Sequence, residues 1–560
     1  MSHIKFFALG GLGEDGKNMY CLDIDNDIFI LDAGLKYPNL ELFGVDAILP
    51  DFSYLVENKN RVRALFLSHG HEDHIGAVPK LIKEIEVPVY GTFFTLALLK
   101  DALTEQGLKP ESFPLHTITK DSVLDFNQVQ VSFYQTTHSI PESVGIALDT
   151  KDGVIVYSPD YTFDQNVDIA YRTSFERLAR IAHKPVLALL TESLGSEHTG
   201  HTHTSKSLDL ELNKAFMNTE SRIVVSVFST DISRIQKIIN IALKHHKDIA
   251  IIGRKAQRMV DIAINLGVLK IPDSSLINLK FIDENNQNEL KNTVILVTGN
   301  RHEPFHMIQR MVRKADRLIH LNESDSVLLM TPPVPGTEKI AARTLDVLYR
   351  HNIPVSKIDK SMLPPAHASS EDIKLLVNIL NPKYFIPVIG EYRHFYAMRK
   401  IAHALNYDDD HIKILDNGQV LEFINKEAKE VVYSINSGDI LVDGILEGDL
   451  SDVVLKDREV LSQDGVVLII SNIDARKKKL LGKPEIVSRG FVYMKENEAL
   501  MDKISEIYID VAKTMFKENY IDWRNLRDKV REQVSRYLYQ TTNRRPIVIP
   551  VLIDTQKASK

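Results

Sequence analysis

The segment LFLSHGHEDHIGA, residues 65–77, concentrates metal-ligand side chains at a density that few folds accommodate. Three histidines and an aspartate fall within six positions, between an apolar run and a helix-like pattern: His69, His71, Asp73 and His74. A lone buried histidine is usually a core residue, but imidazole and carboxylate groups in this pattern suit zinc. His69 and His71 can project to one ion from a loop that leaves a strand, while Asp73 and His74 turn toward a second. The segment therefore predicts a two-metal site.

A site for two ions needs further ligands from elsewhere in the chain. His138 ends the apolar run VSFYQTTH, and Asp160 ends the run GVIVYSPD. Asp32 occupies a similar place in FILDAG. A sheet presents functional side chains where its strands run into loops. We therefore expect His138 and Asp160 to join the histidine loop, with Asp32 as a further candidate.

The composition is that of a globular chain in a reducing compartment. The 560 residues are 44% hydrophobic and 26% charged, and this length predicts about three or four domains. No apolar run reaches the ~18 residues of a membrane helix, the first residues lack secretory-signal features, and Cys21 is the single cysteine. We therefore expect a cytoplasmic protein without membrane association. The net charge of -7 gives no overall basic field, so RNA would have to be bound by local patches.

Short β-branched and aromatic runs alternate with helical patterns, which indicates an α/β chain. From about Pro185 the alternation becomes regular, as in RIVVSVFST followed by DISRIQKIINIALKHH, and this predicts a separate parallel-sheet domain. The segment INSGDILVDGILEGDLSDVVL, rich in glycine and aspartate, precedes a last α+β unit. In that unit we expect helices over about Glu498–Phe516 and Trp523–Tyr539.

The segment GGLGEDG contains Gly11, Gly13 and Gly16 at the spacing of a dinucleotide-binding loop. Such a loop needs a helix to begin at the glycines, because the helix N-terminus binds the pyrophosphate. The following residues, NMYCLDIDNDIFILDAG, have strand composition with a turn at DND. We therefore interpret the segment as a connection between strands rather than a nucleotide site.

Eight segments, in order, resemble the landmarks of the bacterial ribonuclease J family. They are ALGGLGEDGKN, LDAGLKYPNLELFGVDAILPD, LSHGHEDHIGAVP, TTHSIPES, PKYFIPVIGEYR, VVLKDREVLSQDG, EIVSRGFVYM and TNRRPIVIP. The resemblance spans nearly the whole chain and implies a metallo-β-lactamase αββα sandwich with an inserted parallel-sheet β-CASP domain and a small α+β C-terminal domain. The expected boundaries are 1–207 and 364–435 for the metallo-β-lactamase domain, 208–363 for the β-CASP domain, 436–452 for a linker and 453–560 for the C-terminal domain.

The resemblance also implies a ligand set for each of two zinc ions. Four side chains would hold the first ion, and all are present: His69, His71, His138 and Asp160. Asp73, His74 and the shared Asp160 would hold the second. The family's remaining ligand, a late histidine, is replaced here by Ile389. An isoleucine offers no ligand atom, so we expect the second ion to bind more weakly. Loss of a residue that only hydrogen-bonds to a ligand lowers metal affinity by ~10- to 100-fold, and loss of a ligand itself should lower it at least as much.

Proton-transfer roles are carried over from the same resemblance. Glu192 in LLTES stands where the β-CASP domain has an acidic residue, usually aspartate. His367 is the surviving histidine of a loop that grips the 5′ phosphate in the family. We expect His367 and Glu192 to transfer protons, since a leaving 3′ oxygen must gain one. Asp73 is the third predicted catalytic residue.

Two segments implied to bind the 5′ phosphate depart from the family pattern. The loop before His367 reads Leu363, Pro364, Pro365 and Ala366, and proline has neither a backbone N–H nor a hydroxyl. The other segment, Ser229–Asp231, ends in Asp231, whose negative charge would repel a phosphate. The predicted substrate-binding residues are Ser229, Thr230, Asp231, Ala366 and His367. We therefore expect a relaxed or damaged pocket for the 5′ end.

Two basic stretches are candidates for RNA contact. Residues 301–317, RHEPFHMIQRMVRKADR, carry Arg301, Arg310, Arg313, Lys314 and Arg317 on a predicted helix and its flank. The stretch RHFYAMRK interleaves aromatic residues with Arg393, Arg399 and Lys400. A solvated helix face explains either stretch equally well. The histidines of SEHTGHTHTSK, which are His198, His201 and His203, lie in a polar loop without a family counterpart, so an ordinary loop is favoured over a metal site.

The sequence therefore favours a zinc-dependent ribonuclease that resembles the family's second, partly degenerate paralogue. We expect 5′-to-3′ exonuclease and endonuclease action on RNA, in rRNA maturation and mRNA decay, by a homodimer or homotetramer. The alternative is a weakly active or inactive RNA-binding subunit in a hetero-oligomer with an active ribonuclease J paralogue. Ile389 and the Pro364–Pro365 pair favour this alternative, whereas the complete histidine loop opposes it. A small-molecule hydrolase of the same fold is disfavoured by the chain length and the inserted domain.

Overall fold

The computed structural model of the chain consists of two compact units. The first comprises Met1–Tyr37 and Ala47–Ile440, and the second comprises Pro38–Asp46 and Leu441–Lys560. The described residues are 2–38, 44–202, 206–217, 221–253, 255–277, 279, 290, 292–334, 336–429, 433–443, 446–447, 452–491, 497–518 and 522–554. Within these ranges no helix has the length and apolar character needed to span a bilayer.

The first unit contains three sheets and the helices that pack on them. Its strands are β1 His3–Gly10, β2 Met19–Ile24, β3 Asp27–Leu31, β4 Ala47–Pro50, β5 Val62–Phe66, β6 Val89–Gly91, β7 Leu115–Thr117, β8 Val123–Phe126, β9 Val129–Gln135, β10 Val144–Thr150, β11 Gly153–Ser158, β12 Val186–Glu192, β13 Ile223–Phe228, β14 Asp248–Ile252, β15 Leu276–Ile277, β16 Thr293–Gly299, β17 Ser326–Leu329, β18 Val355–Lys357, β19 Tyr384–Val388, β20 Leu421–Ile424 and β21 Glu427–Ala428. Its helices are α1 Ser53–Glu57, α2 Glu72–Ile75, α3 Val78–Glu84, α4 Phe93–Glu105, α5 Phe175–Ala182, α6 Lys206–Met217, α7 Ile232–Lys244, α8 Lys255–Asn265, α9 Glu303–Val312, α10 Glu338–Arg350, α11 Ser370–Leu380 and α12 Tyr392–Ala404.

Two of these sheets form a sandwich. The larger has the order β21-β20-β1-β2-β3-β5-β6-β7, and the smaller has the order β19-β12-β11-β10-β9-β8. One buried apolar cluster draws side chains from both, including Phe6 and Phe66 from the larger sheet and Phe133 and Tyr157 from the smaller. A second cluster packs α5, α11 and α12 against the smaller sheet. The expected α/β sandwich is confirmed, with strand sequences that are buried along most of their length.

The strand order places several polar loops at one edge of the sandwich. Strands β3 and β5 are parallel with Leu31 opposite Phe66, and β12 and β19 are parallel with Glu192 opposite Val388. Strands β11 and β12 are also parallel. Parallel neighbours end at the same edge of a sheet, so the loops that follow them are adjacent. The residues that follow these strand ends include Asp32, His69, Asp160 and Ile389.

The third sheet is parallel throughout, in the order β15-β14-β16-β13-β17-β18. Phe228 lies opposite Gly299, which brings together the loops after β13 and β16. Ser229 Oγ donates a 2.8 Å hydrogen bond to Asn300 Oδ1 between those loops. Helix α9 spans only Glu303–Val312 of the basic stretch 301–317. The predicted helix therefore ends before Arg313, Lys314 and Arg317.

The second unit has a mixed sheet and three helices. Its elements are the greater part of β22 Asp439–Asp443, which begins in the first unit, and β23 Leu446–Glu447, β24 Val466–Asp474, β25 Lys479–Leu480, β26 Glu485–Arg489, β27 Ile547–Asp554, α13 Asp452–Gln463, α14 Glu498–Met515 and α15 Trp523–Thr542. Helices α14 and α15 agree with the predicted helices, although α15 continues past Tyr539. The expected linker 436–452 includes β22 and β23, which pair with each other. An apolar cluster packs both long helices on the sheet.

Candidate metal centre

The side chains of His69, His71, His138 and Asp160 converge on one point. The Nδ1 atom of His71 lies 3.1 Å from Nε2 of His69 and 3.1 Å from Nε2 of His138. The Oδ2 atom of Asp160 lies 3.6 Å and 3.5 Å from the same two Nε2 atoms. Ligands about 2.1 Å from one tetrahedral ion lie about 3.4 Å apart. The four atoms thus have the separations of a single-ion site.

The outer nitrogens of these histidines are held by other groups. His71 Nε2 lies 3.2 Å from the carbonyl of Thr230, and His138 Nδ1 lies 3.1 Å from the carbonyl of Ala366. A carbonyl only accepts, so these two nitrogens carry the protons and the nitrogens at the centre carry lone pairs. His69 Nδ1 contacts Ser68 Oγ at 3.0 Å. The predicted substrate loops at Thr230 and Ala366 therefore orient the ligands through their backbone.

Burial keeps two of the histidines neutral. It lowers the pKa of His138 to about 3 and lowers the pKa of His69 well below its usual value, and the neighbouring imidazoles act in the same direction. Only a neutral imidazole binds a metal ion. Both side chains are therefore in the required state near neutral pH without competition from a proton.

Asp73, His74 and Asp160 form a second group of convergent ligand atoms. His74 Nε2 lies 3.3 Å from Asp73 Oδ2 and 3.7 Å from Asp160 Oδ2. The other nitrogen of His74, Nδ1, donates a 2.8 Å hydrogen bond to Asp32 Oδ2. Asp32 belongs to none of the ligand groups found among the described residues. It orients a ligand instead, which corrects its candidacy as one.

Asn18 contributes to the second position and was not singled out from the sequence. Its amide Nδ2 lies 3.3 Å from Asp73 Oδ2 and 3.2 Å from His74 Nε2. Tyr20 donates a 3.1 Å hydrogen bond to Asn18 Oδ1. Asn18 follows GGLGEDG, which connects β1 and β2 as expected. Its place at the end of the glycine-rich connection, immediately before β2, was the available signal.

Ile389 adds no ligand to the second position. Its side chain is fully buried in the apolar cluster that contains Tyr20 and Tyr157. Its φ angle is +52°, which is a strained conformation for a β-branched residue. The backbone is fixed by a 3.1 Å bond from its N–H to Tyr20 Oη and a 2.9 Å bond from Ser193 Oγ to its carbonyl. The second position therefore has three protein ligands among the described residues.

Glu192, which is buried, and His367, which is partly exposed, form a hydrogen-bonded pair beside the first position. His367 Nδ1 lies 2.7 Å from Glu192 Oε2 and 3.5 Å from Asp160 Oδ1. Glu192 Oε1 accepts from the backbone N–H groups of Tyr161 at 2.8 Å and Ala368 at 3.1 Å. Burial raises the pKa of Glu192. Burial alone would lower the pKa of His367, but the carboxylates of Glu192 and Asp160 raise it well above its usual value.

The charge of Asp231 is compensated within the loop after β13. Its side chain accepts from the backbone N–H of Arg234 at 2.9 Å and caps α7. The guanidinium of Arg234 lies 2.9 Å from the other carboxylate oxygen. The repulsion of phosphate expected from this aspartate is therefore reduced.

The basic residues of RHFYAMRK and the histidines of SEHTGHTHTSK lie outside the metal centre. Arg393 pairs with Glu391, Arg399 forms a two-point contact with Asp409 at 2.8 and 2.6 Å, and Lys400 lies over the ring of Tyr396. His198 and His201 belong to no group of convergent metal ligands among the described residues, and His203 lies outside them. The carbonyl of His198 accepts from the N–H of Ser370 at the start of α11. These contacts are local, and RNA contact by Arg393, Arg399 and Lys400 stays a prediction.

The donor set fits a metal ion. The first position offers three imidazole nitrogens and one carboxylate oxygen, and such a set binds zinc. The Oδ1 atom of Asp160 is buried, makes no hydrogen bond among the described residues and lies 3.5 Å from His367 Nδ1. The raised pKa of His367 keeps a positive charge beside this oxygen, while Oδ2 of the same carboxylate faces both groups of ligand atoms.

Family models match most of the chain. A metallo-beta-lactamase superfamily model matches residues 12–225, and a model of the ribonuclease J beta-CASP domain matches residues 220–348. A model named Zn-dependent metallo-hydrolase RNA specificity domain matches residues 365–413, and a ribonuclease J C-terminal domain model matches residues 453–555.

Similar proteins match along the full length. The chain is 37% identical to ribonuclease J2 of Bacillus subtilis over 99% of both chains, and 34% identical to ribonuclease J 2 of Staphylococcus aureus over 98% of both. A crystal structure of a protein of unknown function from Enterococcus faecalis shares the fold, with a TM-score of 0.53 and 14% identity over 76% of this chain and 100% of that chain. The sequence matches, together with the convergent ligands, show that this chain belongs to the ribonuclease J family.

Proposed function

We infer that the chain, as a ribonuclease J family protein, is a metal-dependent ribonuclease, and we propose zinc as its metal. The supporting observation is the convergence of His69, His71, His138 and Asp160 at the separations of one ion. The first position, with four ligands, holds its ion firmly. The second, with Asp73, His74 and the shared Asp160, holds its ion weakly because Ile389 offers no donor.

The residues around the centre have distinct tasks in phosphodiester hydrolysis. When bound, zinc lowers the pKa of water and stabilises negative charge on the phosphoryl oxygens. His367 directs Nδ1 to Glu192, which leaves Nε2 to donate a proton to the departing 3′ oxygen. Glu192 is itself fixed by two backbone N–H groups. The carboxylate of Asp73 supplies a ligand atom and a negative charge to the second position.

The proposed substrate is RNA, cleaved 5′-to-3′ from an end and internally, in rRNA maturation and mRNA decay in the cytoplasm. The loops at Ser229–Asp231 and Ala366–His367 border the centre and are proposed to contact the RNA backbone. Thr230 and Ala366 reach the ligands directly through their carbonyls. We propose that the chain acts as a homodimer or homotetramer, or together with a ribonuclease J paralogue.

A second candidate function is an RNA-binding subunit with little activity that supports an active paralogue. Two sequence features favour it: Ile389 in place of the histidine that the family resemblance implies, and Pro364 and Pro365 in the loop implied to bind phosphate. The first position opposes it. Each of its three histidines is oriented by a contact to the ring nitrogen that points away from the centre, and a supporting subunit has no physical need of oriented metal ligands.

One experiment separates the two functions. The purified full chain is treated with a chelator, reloaded with zinc, and given RNA carrying a 5′ monophosphate, alone and mixed with a purified ribonuclease J paralogue. An enzyme loses cleavage on chelation and regains it with zinc without the paralogue. A support subunit never cleaves RNA alone. It raises the activity of the paralogue equally well whether or not its own metal has been removed, and this result would contradict the first proposal.

A further inference from the structure

A cavity of about 740 Å³ lies at the carboxyl edge of the third sheet. It is lined by Ile252 and Gly253 at the end of β14, by Ile277 at the end of β15 and by one side of α9. None of its lining residues belongs to the groups of convergent metal ligands found among the described residues. Open α/β sheets bind ligands outside the carboxyl ends of parallel strands, and the volume is that of a small-molecule site.

The sheet order places α9 beside this edge. Strands β15, β14 and β16 are neighbours in that order and are all parallel, and α9 begins shortly after β16. His302, which caps the helix, His306 and Arg310 recur at four-residue intervals and so share one side of α9. All three line the cavity and are exposed, so their side chains are accessible to a ligand.

Several basic groups of the cavity have no polar partner. The rings of His302 and His306 meet edge to face, with their centroids 5.2 Å apart. Neither ring, nor the guanidinium of the exposed Arg317, makes a hydrogen bond or an ion pair with another described residue. Burial and the neighbouring His302 lower the pKa of His306, because two adjacent imidazolium groups repel each other. An anion held by both rings would relieve that repulsion, so this part of the cavity suits a phosphate.

Three carboxylates also line the cavity. Asp316 accepts from two backbone N–H groups at 3.0 and 3.3 Å and lies 3.7 Å from the guanidinium of Arg310, so its charge is compensated. Glu303 accepts from one backbone N–H at 2.8 Å through Oε2. A carboxylate accepts hydrogen bonds from sugar hydroxyls in many nucleotide sites, and Asp261 and Glu303 can do so here.

The floor of the cavity is apolar. It is the outer part of the buried cluster that packs under the third sheet. Ile252 and Leu279 are buried in that cluster, whereas Ile277, Met307 and Leu318 are only partly buried and also line the cavity. Aliphatic side chains and the thioether of methionine pack well against a flat aromatic ring. The floor therefore suits a planar base.

We propose that this cavity binds a nucleotide whose base packs on the apolar floor. Asp261 and Glu303 accept hydrogen bonds from its ribose. His302, His306 and Arg317 bind its phosphate. The cavity shares no residue with the candidate metal centre, so the proposal goes beyond the proposed function and does not depend on it. A free mononucleotide and a nucleotide within single-stranded RNA offer the same chemistry, and the experiment separates these two sources.

Calorimetric titration of the full chain with adenosine 5′-monophosphate and with adenosine tests the proposal. Each titration is run on the zinc-loaded chain and again after chelation, because binding at the metal centre requires the metal and binding in the cavity does not. The variants are His306→Gln and Arg317→Gln. The matched control is Arg313→Gln, which removes an exposed arginine of the same basic stretch that does not line the cavity.

We expect the chelated native chain to bind adenosine 5′-monophosphate, and to bind adenosine more weakly. His306→Gln and Arg317→Gln should each weaken binding of the monophosphate by about 10-fold, the effect of one hydrogen bond to a charged group. Both should leave adenosine binding unchanged, and Arg313→Gln should bind both ligands as the native chain does.

A single-stranded oligoadenylate identifies the source of the nucleotide. If it displaces the monophosphate from the chelated chain, the cavity holds a nucleotide of RNA, and if it does not, the cavity holds a free nucleotide. Three results would overturn the proposal: no binding by the chelated native chain, equal affinity for adenosine and its monophosphate, or equal affinity of Arg317→Gln and Arg313→Gln for the monophosphate. A chain that binds the monophosphate but never cleaves RNA would retain the cavity assignment while the proposed function fails.

Discussion

Asp32 Oδ2 lies 2.8 Å from Nδ1 of His74, inside a buried pocket where Tyr157 and Ser68 donate to the same oxygen at 2.7 and 2.8 Å. This contact directs Nε2 of His74 toward the second metal position. Asp32→Asn removes the negative charge that holds the imidazole in place. We expect zinc affinity at the second position to fall by about 10- to 100-fold, as measured by competition with a chromophoric chelator. The first position should keep its ion, and loss of both ions together would contradict this role.

Ile389→His should strengthen the second position. The φ angle of +52° at this residue strains isoleucine, whereas histidine enters this region more readily. An imidazole here restores the ligand type that the family resemblance implies, so we expect a second tightly bound zinc per chain and faster cleavage. Zinc content after extensive dialysis measures the effect. The matched control is Ile389→Leu, which has no ligand atom and should behave as the native chain does, and a histidine variant with unchanged zinc content would refute the expectation.

His367→Gln should slow cleavage without loss of zinc. The histidine belongs to neither of the two proposed ion positions, although it forms a further group of convergent ligand atoms with Asp160 and Glu192. We propose it as a proton-transfer group because its Nδ1 lies 2.7 Å from Glu192. Loss of such a group costs about 10²- to 10⁴-fold in rate. Single-turnover cleavage of RNA measures the rate, and metal analysis provides the control. A zinc content that falls in parallel with the rate would show that His367 holds an ion instead.

Arg222→Met should destabilise the parallel sheet. The guanidinium contacts both carboxylate oxygens of Asp325, at 2.9 and 2.7 Å, and both side chains are almost completely buried. Its removal leaves a buried unpaired carboxylate, so we expect the free energy of unfolding of this domain to fall by about 3–5 kcal/mol in urea denaturation. Arg180→Met breaks the exposed pair with Glu176 and should leave stability nearly unchanged. Equal effects of the two substitutions would argue against a role for burial.

The sequence was sufficient for the ligand groups because their spacing and their strand-end positions are local features. His69 and His71 follow β5 of the larger sheet and His138 follows β9 of the smaller sheet, and the three side chains converge at one edge of the sandwich. The alternation of apolar strands and amphipathic helices likewise sufficed for an α/β chain, a separate parallel sheet and the last α+β unit, whereas the sandwich and the insertion were implied by the family resemblance. The domain boundaries at 207 and 363 remain predictions.

Contacts that depend on tertiary packing were beyond the sequence. Asp32 and Asp160 stand in similar local contexts, yet of the two only Asp160 belongs to the groups of convergent ligand atoms, because Tyr157, Ser68 and His74 occupy Asp32 Oδ2. Asn18 lies 55 residues before Asp73 in the chain, and no local pattern encodes their contact. Arg234 neutralises the negative charge of Asp231, but the sequence shows only an acidic and a basic residue three positions apart. That spacing is common in helices and does not by itself indicate an ion pair.

The most direct test of a zinc-dependent ribonuclease compares the native chain with His71→Ala. His71 Nδ1 touches both other histidine nitrogens of the first position, so its loss should remove the firmly held ion. His116→Ala, on an exposed histidine away from the ligand groups, is the control. Zinc content and cleavage of 5′-monophosphorylated RNA are measured on the same preparations. We expect both to be present in the native chain and in His116→Ala, and both to be lost in His71→Ala. Undiminished cleavage by a zinc-free His71→Ala would contradict the account.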